Sequence, residues 1–175
     1  MANTYQLISS VTVGSGGTAN IEFTSIPGTY TDLILKMSLR QSASSEGYQI
    51  GVRFNGSTSG YSRLASYGRG NGVDTAKGSS ETFARFGFTQ SSTYTASIFG
   101  NYEMYIPDYA STTEYKTFKT DSITESTAVE VYSQGFWGGL WSNNSAITSI
   151  LLQDLAGGTN FAQYSTAYLY GISNA

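Results

Sequence analysis

The chain has 175 residues, of which only 12% are charged, and 26 Ser, 21 Thr and 20 Gly residues dominate its polar composition. A formal net charge of -3 and an isoelectric point near 4.8 argue against binding to a nucleic-acid backbone, which requires clustered Lys and Arg. The chain has neither histidine nor cysteine, which removes disulfides, the commonest general base and the commonest transition-metal ligands. We therefore expect no metal site, no cofactor and no nucleic-acid partner.

Aromatic residues make up 14% of the chain, and apolar residues occur along its whole length, which favours a folded chain over disorder. The length suits a single domain over residues 1–175. The first ten residues, MANTYQLISS, lack the basic and apolar regions of a secretory signal, and no stretch approaches the roughly 18 apolar residues of a membrane span. We expect synthesis in the cytoplasm without a signal peptide, and no membrane partner.

The first clear element follows Pro27-Gly28, a dipeptide that predicts a type II turn. From Thr31 the side chains alternate between two faces with the period of a β-strand. The core face is predicted to hold four residues: Leu33, Leu35, Met37 and Leu39. The opposite face is predicted to be mostly exposed and holds Ile34, Lys36, Ser38 and Arg40.

A second half-buried strand is predicted by the alternation of four apolar residues, Tyr48, Ile50, Val52 and Phe54. The next two residues, Asn55-Gly56, are a hairpin-turn signal. Strands are also predicted by seven further runs rich in β-branched or aromatic residues: YQLISSVTV, TANIEF, ASIFGNYEMYI, YKTFKTD, TAVEVYSQGFW, AITSILLQ and TAYLYGI. Nine or ten short strands predict an all-β, antiparallel β-sandwich.

Three local questions stay open in the sequence. Residues 1–8 form either an extended arm or a first strand of the sheet. Residues 149–157, SILLQDLAG, carry a minor helical alternative to a strand. Residues 68–80 read as the longest loop, because Gly and polar residues interrupt any alternation there.

Carboxylates are the remaining catalytic candidates, because glycoside hydrolysis needs only a pair of them about 5 to 9.5 Å apart. The candidates are Asp108, Asp121, Glu125 and Asp154. Turn, cap or surface roles account for them better, since Asp forms turns by itself. We therefore expect no enzymatic activity.

The stretch GFWGGLWSNN, residues 135–144, is the strongest candidate for a contact surface. Its rings, Phe136, Trp137 and Trp141, allow three interpretations: closure of the sandwich core, an intersubunit or capsid contact, and stacking on sugar rings. Tyr109, in the segment YIPDY, is a fourth candidate for a partner or subunit interface.

Three long stretches carry a resemblance to a known group of proteins. The stretches IEFTSIPGTYTDLILKMSLR, NYEMYIPDYASTTEYKTFKTDSITES and NFAQYSTAYLYGI resemble a family of small tailed-phage virion proteins, found mainly in phages of aquatic bacteria. The similarity runs from about Tyr5 to Ile172, and its motifs mark the fold rather than a catalytic site. The resemblance implies a β-sandwich or jelly-roll structural protein without enzymatic activity.

A cement protein binds only the assembled lattice, where many weak contacts add up. We accordingly expect a capsid decoration (cement) protein on the outer surface of the phage head, which bridges subunits of the major capsid protein and forms a homotrimer. The alternative is a host-receptor or glycan-binding module of a tail or head fibre, with the tryptophans stacking on surface glycans.

Overall fold

The computed structural model describes residues 4–44, 49–70, 72–124, 132–155 and 157–173. These residues contain no helix and form twelve β-strands. In chain order the strands are β1 (Tyr5–Thr12), β2 (Asn20–Phe23), β3 (Asp32–Leu39), β4 (Gln49–Phe54), β5 (Tyr61–Arg69), β6 (Gly72–Glu81), β7 (Ala84–Phe88), β8 (Gly100–Ile106), β9 (Lys116–Ile123), β10 (Tyr132–Trp141), β11 (Ile150–Asp154) and β12 (Thr166–Ile172).

The strands form two antiparallel sheets that pack face to face. The large sheet has eight strands in the order β1-β12-β3-β8-β9-β10-β5-β6, and the small sheet has four in the order β2-β11-β4-β7. The prediction of an all-β antiparallel sandwich is confirmed. The jelly roll is not confirmed, since that arrangement has eight strands, whereas the described residues form twelve.

Alternation along β3 and β4 positions the core between the sheets. The seven predicted core residues are all buried, with 4% or less of each exposed: Leu33, Leu35, Met37, Leu39, Ile50, Val52 and Phe54. Tyr48, predicted to continue this row, lies outside the described residues. The inner face of β3 therefore packs against the small sheet and seals it onto the large one.

The opposite face of β3 is more covered than its alternation predicts. Ile34 is 5% exposed and Arg40, just beyond the strand, is 8% exposed. The Arg40 guanidinium donates hydrogen bonds to four backbone carbonyls of a single loop, those of Ser92, Tyr94, Thr95 and Ile98. The prediction of an exposed arginine was wrong because this loop wraps around the cation and satisfies its donors in place of water.

Two turn predictions need correction. Gly28 does not adopt the positive φ that the third position of a type II turn requires. The positive φ in this segment is instead at Ser25, with φ of 54°. Asn55 and Gly56 do form a tight turn with φ of 51° and 66°, and the Ser57 amide donates to the Phe54 carbonyl at 2.9 Å. This turn does not make a hairpin, because the chain crosses there from the small sheet to the large one.

The ambiguous segments of the sequence are strands. The predicted loop at 68–80 is largely strand, since β5 extends to Arg69 and β6 begins at Gly72, and the helical alternative at 149–157 is replaced by β11. At the other edge of the large sheet, β1 pairs with β12 from Tyr5 to Thr12, so the described part of the N-terminal segment is a strand and not an arm. Residues 1–3 lie outside the described residues.

Candidate interaction surface

Strand β10 places alternate residues of the aromatic-glycine motif on opposite faces of the large sheet. Trp137 and Trp141 point into the sandwich and are 1% and 2% exposed, whereas Phe136 points away from it and is 69% exposed. Successive side chains of a strand face opposite sides, so neighbouring rings of the motif cannot share a surface. Of the three rings predicted as contacts, only Phe136 is available to a partner.

The buried rings pack in two aromatic groups. Trp141 stacks on Tyr61 at 6.2 Å between ring centroids, and Trp137 stacks on Tyr67 at 5.7 Å. Tyr109 is also fully buried, and its hydroxyl donates to the Pro27 carbonyl. Of the three interpretations of the motif, closure of the core is the one that the burial of Trp137 and Trp141 supports, and neither these rings nor Tyr109 is exposed as the predicted interface would require.

The strand register identifies the side chains that share the outer face of the large sheet with Phe136. Directly opposed residues lie on the same face. The register defines one row across seven strands, in the order Tyr168, Lys36, Glu103, Asp121, Phe136, Ser66 and Thr75. The adjacent row is Tyr170, Ile34, Tyr105, Lys119, Gly138, Leu64 and Lys77.

Exposed apolar side chains concentrate on this outer face. Of nine large apolar side chains exposed among the described residues, seven lie on it, and the other two, Tyr115 and Tyr164, lie in loops. The seven form two groups. The Phe136 patch comprises Leu64, Val73, Ile123 and Phe136 on β5, β6, β9 and β10, and the Tyr5 patch comprises Tyr5, Leu7 and Tyr168 on β1 and β12.

A polar strip on β3 and β8 separates the two patches. The ammonium group of Lys36 donates to a carboxylate oxygen of Glu103 at 2.6 Å, and about half of each side chain is exposed. This hydrogen bond raises the pKa of Lys36, and desolvation opposes the shift. An ion pair so open to solvent contributes little stability, so its effect is to keep the middle of the face polar.

Shallow depressions flank Phe136 along β10. One lies between Phe136 and Ile123, and a second lies between Phe136 and Gly138. A third, above Gly138, is bounded by Leu64, Lys77 and Leu140 and has a volume of about 660 Å³. A Cβ atom added to Gly138 would meet nothing within 4 Å, so the phenylalanine ring protrudes beside an open hollow.

The carboxylates considered for glycoside hydrolysis are on different parts of the fold. Asp108 occupies a turn with φ of 46°, and Asp121 lies on the exposed outer face. Asp154 is buried and accepts hydrogen bonds from Gln41 and Thr159. Glu125 lies outside the described residues, among which no group of three or more metal-ligating side chains occurs. The described candidates therefore do not pair with one another, and the carboxylate directly opposed to Asp121 is that of Glu103, whose side chain accepts a hydrogen bond from Lys36.

Sequence reasoning missed the outer-face patches. The alternation that identified core residues also places Leu7, Ile123 and Phe136 at outward positions, and this signal was available in the sequence. Leu64 and Val73 could not be assigned a face, because β5 and β6 did not read as strands. The patches become visible only when the register joins distant segments.

Comparisons with known proteins do not identify this chain. No protein-family model, curated protein or solved structure matches it. In the described part of the chain no helix is long and apolar enough to span a membrane.

Proposed function

We propose that this chain is a non-enzymatic structural protein of a tailed-phage particle, and that it binds the outer surface of the assembled head as a decoration (cement) protein. The proposal joins the sequence resemblance to one structural observation. That observation is the concentration of exposed apolar side chains in two separate patches on one broad sheet face.

Large exposed apolar patches indicate interaction sites, because soluble monomers seldom keep them without a function. Two patches on one face, separated by a polar strip, allow one chain to contact two neighbours at once. A protein that bridges subunits of a shell needs this arrangement, since each contact can be weak when the lattice supplies many of them. We assign the contact with the major capsid protein to the Tyr5 patch.

Composition supports the same role. With 12% charged residues and a net charge of -3, the surface has little electrostatic attraction for packaged DNA. Neutral Ser and Thr side chains keep the rest of the surface soluble without favouring charged partners.

The glycan-binding alternative is less well supported. It relied on Trp137 and Trp141 as a stacking platform, and both rings are buried. Phe136 is the one aromatic ring of that motif left to contact a ligand. We therefore do not propose sugar recognition as the function of this motif.

Co-sedimentation with phage heads tests the proposed function. Purified chain is mixed with heads assembled without it, and with unassembled major capsid protein. We expect binding to the heads alone, and a large loss of binding for Leu7→Glu, which places a charge in the Tyr5 patch.

The matched control is Tyr115→Ser, which removes a ring that is 60% exposed but lies in the loop that precedes β9, outside the Tyr5 patch. Full binding by this variant is expected. Absence of binding to heads, or equal binding by Leu7→Glu and the unaltered chain, would contradict the assignment. Cryo-EM density found only on the tail would do the same.

A further inference from the structure

The Phe136 patch has a self-complementary pattern. Along β10, Phe136 and Gly138 alternate as a protruding ring and an open position, and on the neighbouring β9 Asp121 and Lys119 lie directly beside them. The row with the protruding Phe136 ring thus also contains the acidic Asp121, and the row with Gly138 also contains the basic Lys119.

We propose that the Phe136 patch binds a second copy of this chain through a two-fold symmetric, face-to-face contact. The two-fold axis runs across the strands, midway between the two rows. It places the Phe136 row of each copy opposite the Gly138 row of the other copy. Each Phe136 ring then enters the hollow above the partner copy's Gly138. The same operation brings each Lys119 opposite the partner copy's Asp121.

The surrounding side chains are compatible with this contact. Leu64 meets the small Ser66 of the other copy, and Lys77 meets Thr75, so no like charges face each other among these positions. Within the described residues neither Lys119 nor Asp121 forms an ion pair, so both are free to pair between copies. An isologous contact requires this reciprocal arrangement, in which the same patch supplies both halves.

The size of the patch is sufficient for a modest interface. Its four strands, about 4.8 Å apart and each about 25 Å long, cover on the order of 480 Å² per copy, which is the size of a weak, concentration-dependent contact.

The contact goes beyond the proposed function and can be measured without phage heads. An isologous contact closes at two copies, whereas the expected homotrimer needs a heterologous contact. Sedimentation equilibrium of the purified chain over a concentration series should give a dimer, or a hexamer if trimers pair through this patch. A monomer at all concentrations, or a trimer that does not associate further, would overturn the proposal.

Variants of the outer face test the geometry. Phe136→Ser removes the ring and Gly138→Leu fills the hollow, and each should weaken association about ten-fold or more, as removal of a central aromatic anchor does. Tyr115→Ser, in the loop before β9 and outside the Phe136 patch, should leave association unchanged. Equal association by Phe136→Ser and the unaltered chain would overturn the proposal.

A charge exchange provides a readout that does not depend on packing. Lys119→Asp and Asp121→Lys should each weaken association, because like charges then face each other across the axis. An equimolar mixture of the two single variants should regain it, since the mixed pair restores both ion pairs. Failure of the mixture to associate better than either variant alone would contradict the arrangement, while circular dichroism confirms that both variants are folded.

Discussion

The two sides of β10 make opposite uses of the same residue types. The segment FWGG, residues 136–139, supplies one aromatic ring and one glycine to each face of the large sheet. On the inner face Trp137 is buried and Gly139 makes room for the Phe118 ring, whereas on the outer face Phe136 is exposed and Gly138 is open. Position in the strand, rather than residue type, therefore decides whether a ring or a glycine serves the core or a partner.

The largest effect is expected for a charge on the inner face of β3. Leu35→Asp should abolish folding, because an unpaired buried charge costs several kcal/mol out of a total stability of about 5 to 15 kcal/mol. Lys36→Gln, at the next position on the outer face, should change the free energy of unfolding by less than about 1 kcal/mol. Urea denaturation measures both. A cooperatively unfolding Leu35→Asp variant of normal stability would show that the face assignment is wrong.

The aromatic pair gives the next largest contrast. Trp137→Ala should lower the free energy of unfolding by about 3 to 5 kcal/mol, because it leaves a cavity beside Tyr67 and Phe88. Phe136→Ala should change it by no more than about 0.5 kcal/mol, as is usual for an exposed side chain. Stability is measured at concentrations where the chain is monomeric. Similar losses for the two variants would argue against the burial of Trp137.

The two glycines sharpen the comparison further. Gly139→Ala should cost about 1 to 3 kcal/mol, since its Cβ atom would overlap the buried Phe118 ring. Gly138→Ala adds a methyl group in open space and should stabilise the strand by about 0.5 kcal/mol, because alanine loses less backbone entropy on folding. Thermal melts of the two variants measure both changes. If Gly138→Ala were destabilising and Gly139→Ala were not, the assignment of the two glycines to the two faces would be wrong.

The smallest effect concerns alkaline pH. Burial raises the pKa of Tyr102 above its usual range, and Tyr61 shifts in the same direction for the same reason. Above about pH 10 an unfolded tyrosine releases its proton while these folded ones keep theirs, so the contribution of the two tyrosines to the free energy of unfolding should be constant below that pH and fall above it. Urea midpoints at about pH 9, 10 and 11 should decline less steeply in Tyr102→Phe. Parallel declines in the two proteins would contradict a role for Tyr102.

The sequence predicted the fold class and the core of β3 and β4, because strict alternation on a half-buried strand reflects burial directly. It missed β5, β6 and β7. The Gly- and Ser-rich segments of β5 and β6 have weak strand propensity, and pairing with β10 and with each other makes them strands through tertiary context, while β7 pairs with β4. It did not determine which face of β10 carries Trp137 and Trp141, because glycines in a short motif give no apolar-polar alternation from which to assign the faces. The outer-face patches depend on register between distant strands, which no local pattern contains.

The pairing of β1 with β12 has a consequence for synthesis. The first strand of the large sheet finds its partner only in the last strand, and β12 also lies between β1 and β3. Before β12 is made, β1 has no partner and β3 can pair only with β8, so one edge of each strand remains open to other nascent chains. The large sheet can therefore be completed only after β12 has left the ribosomal exit tunnel. Pairing of β12 with both β1 and β3 then covers the strand edges through which the chain could aggregate.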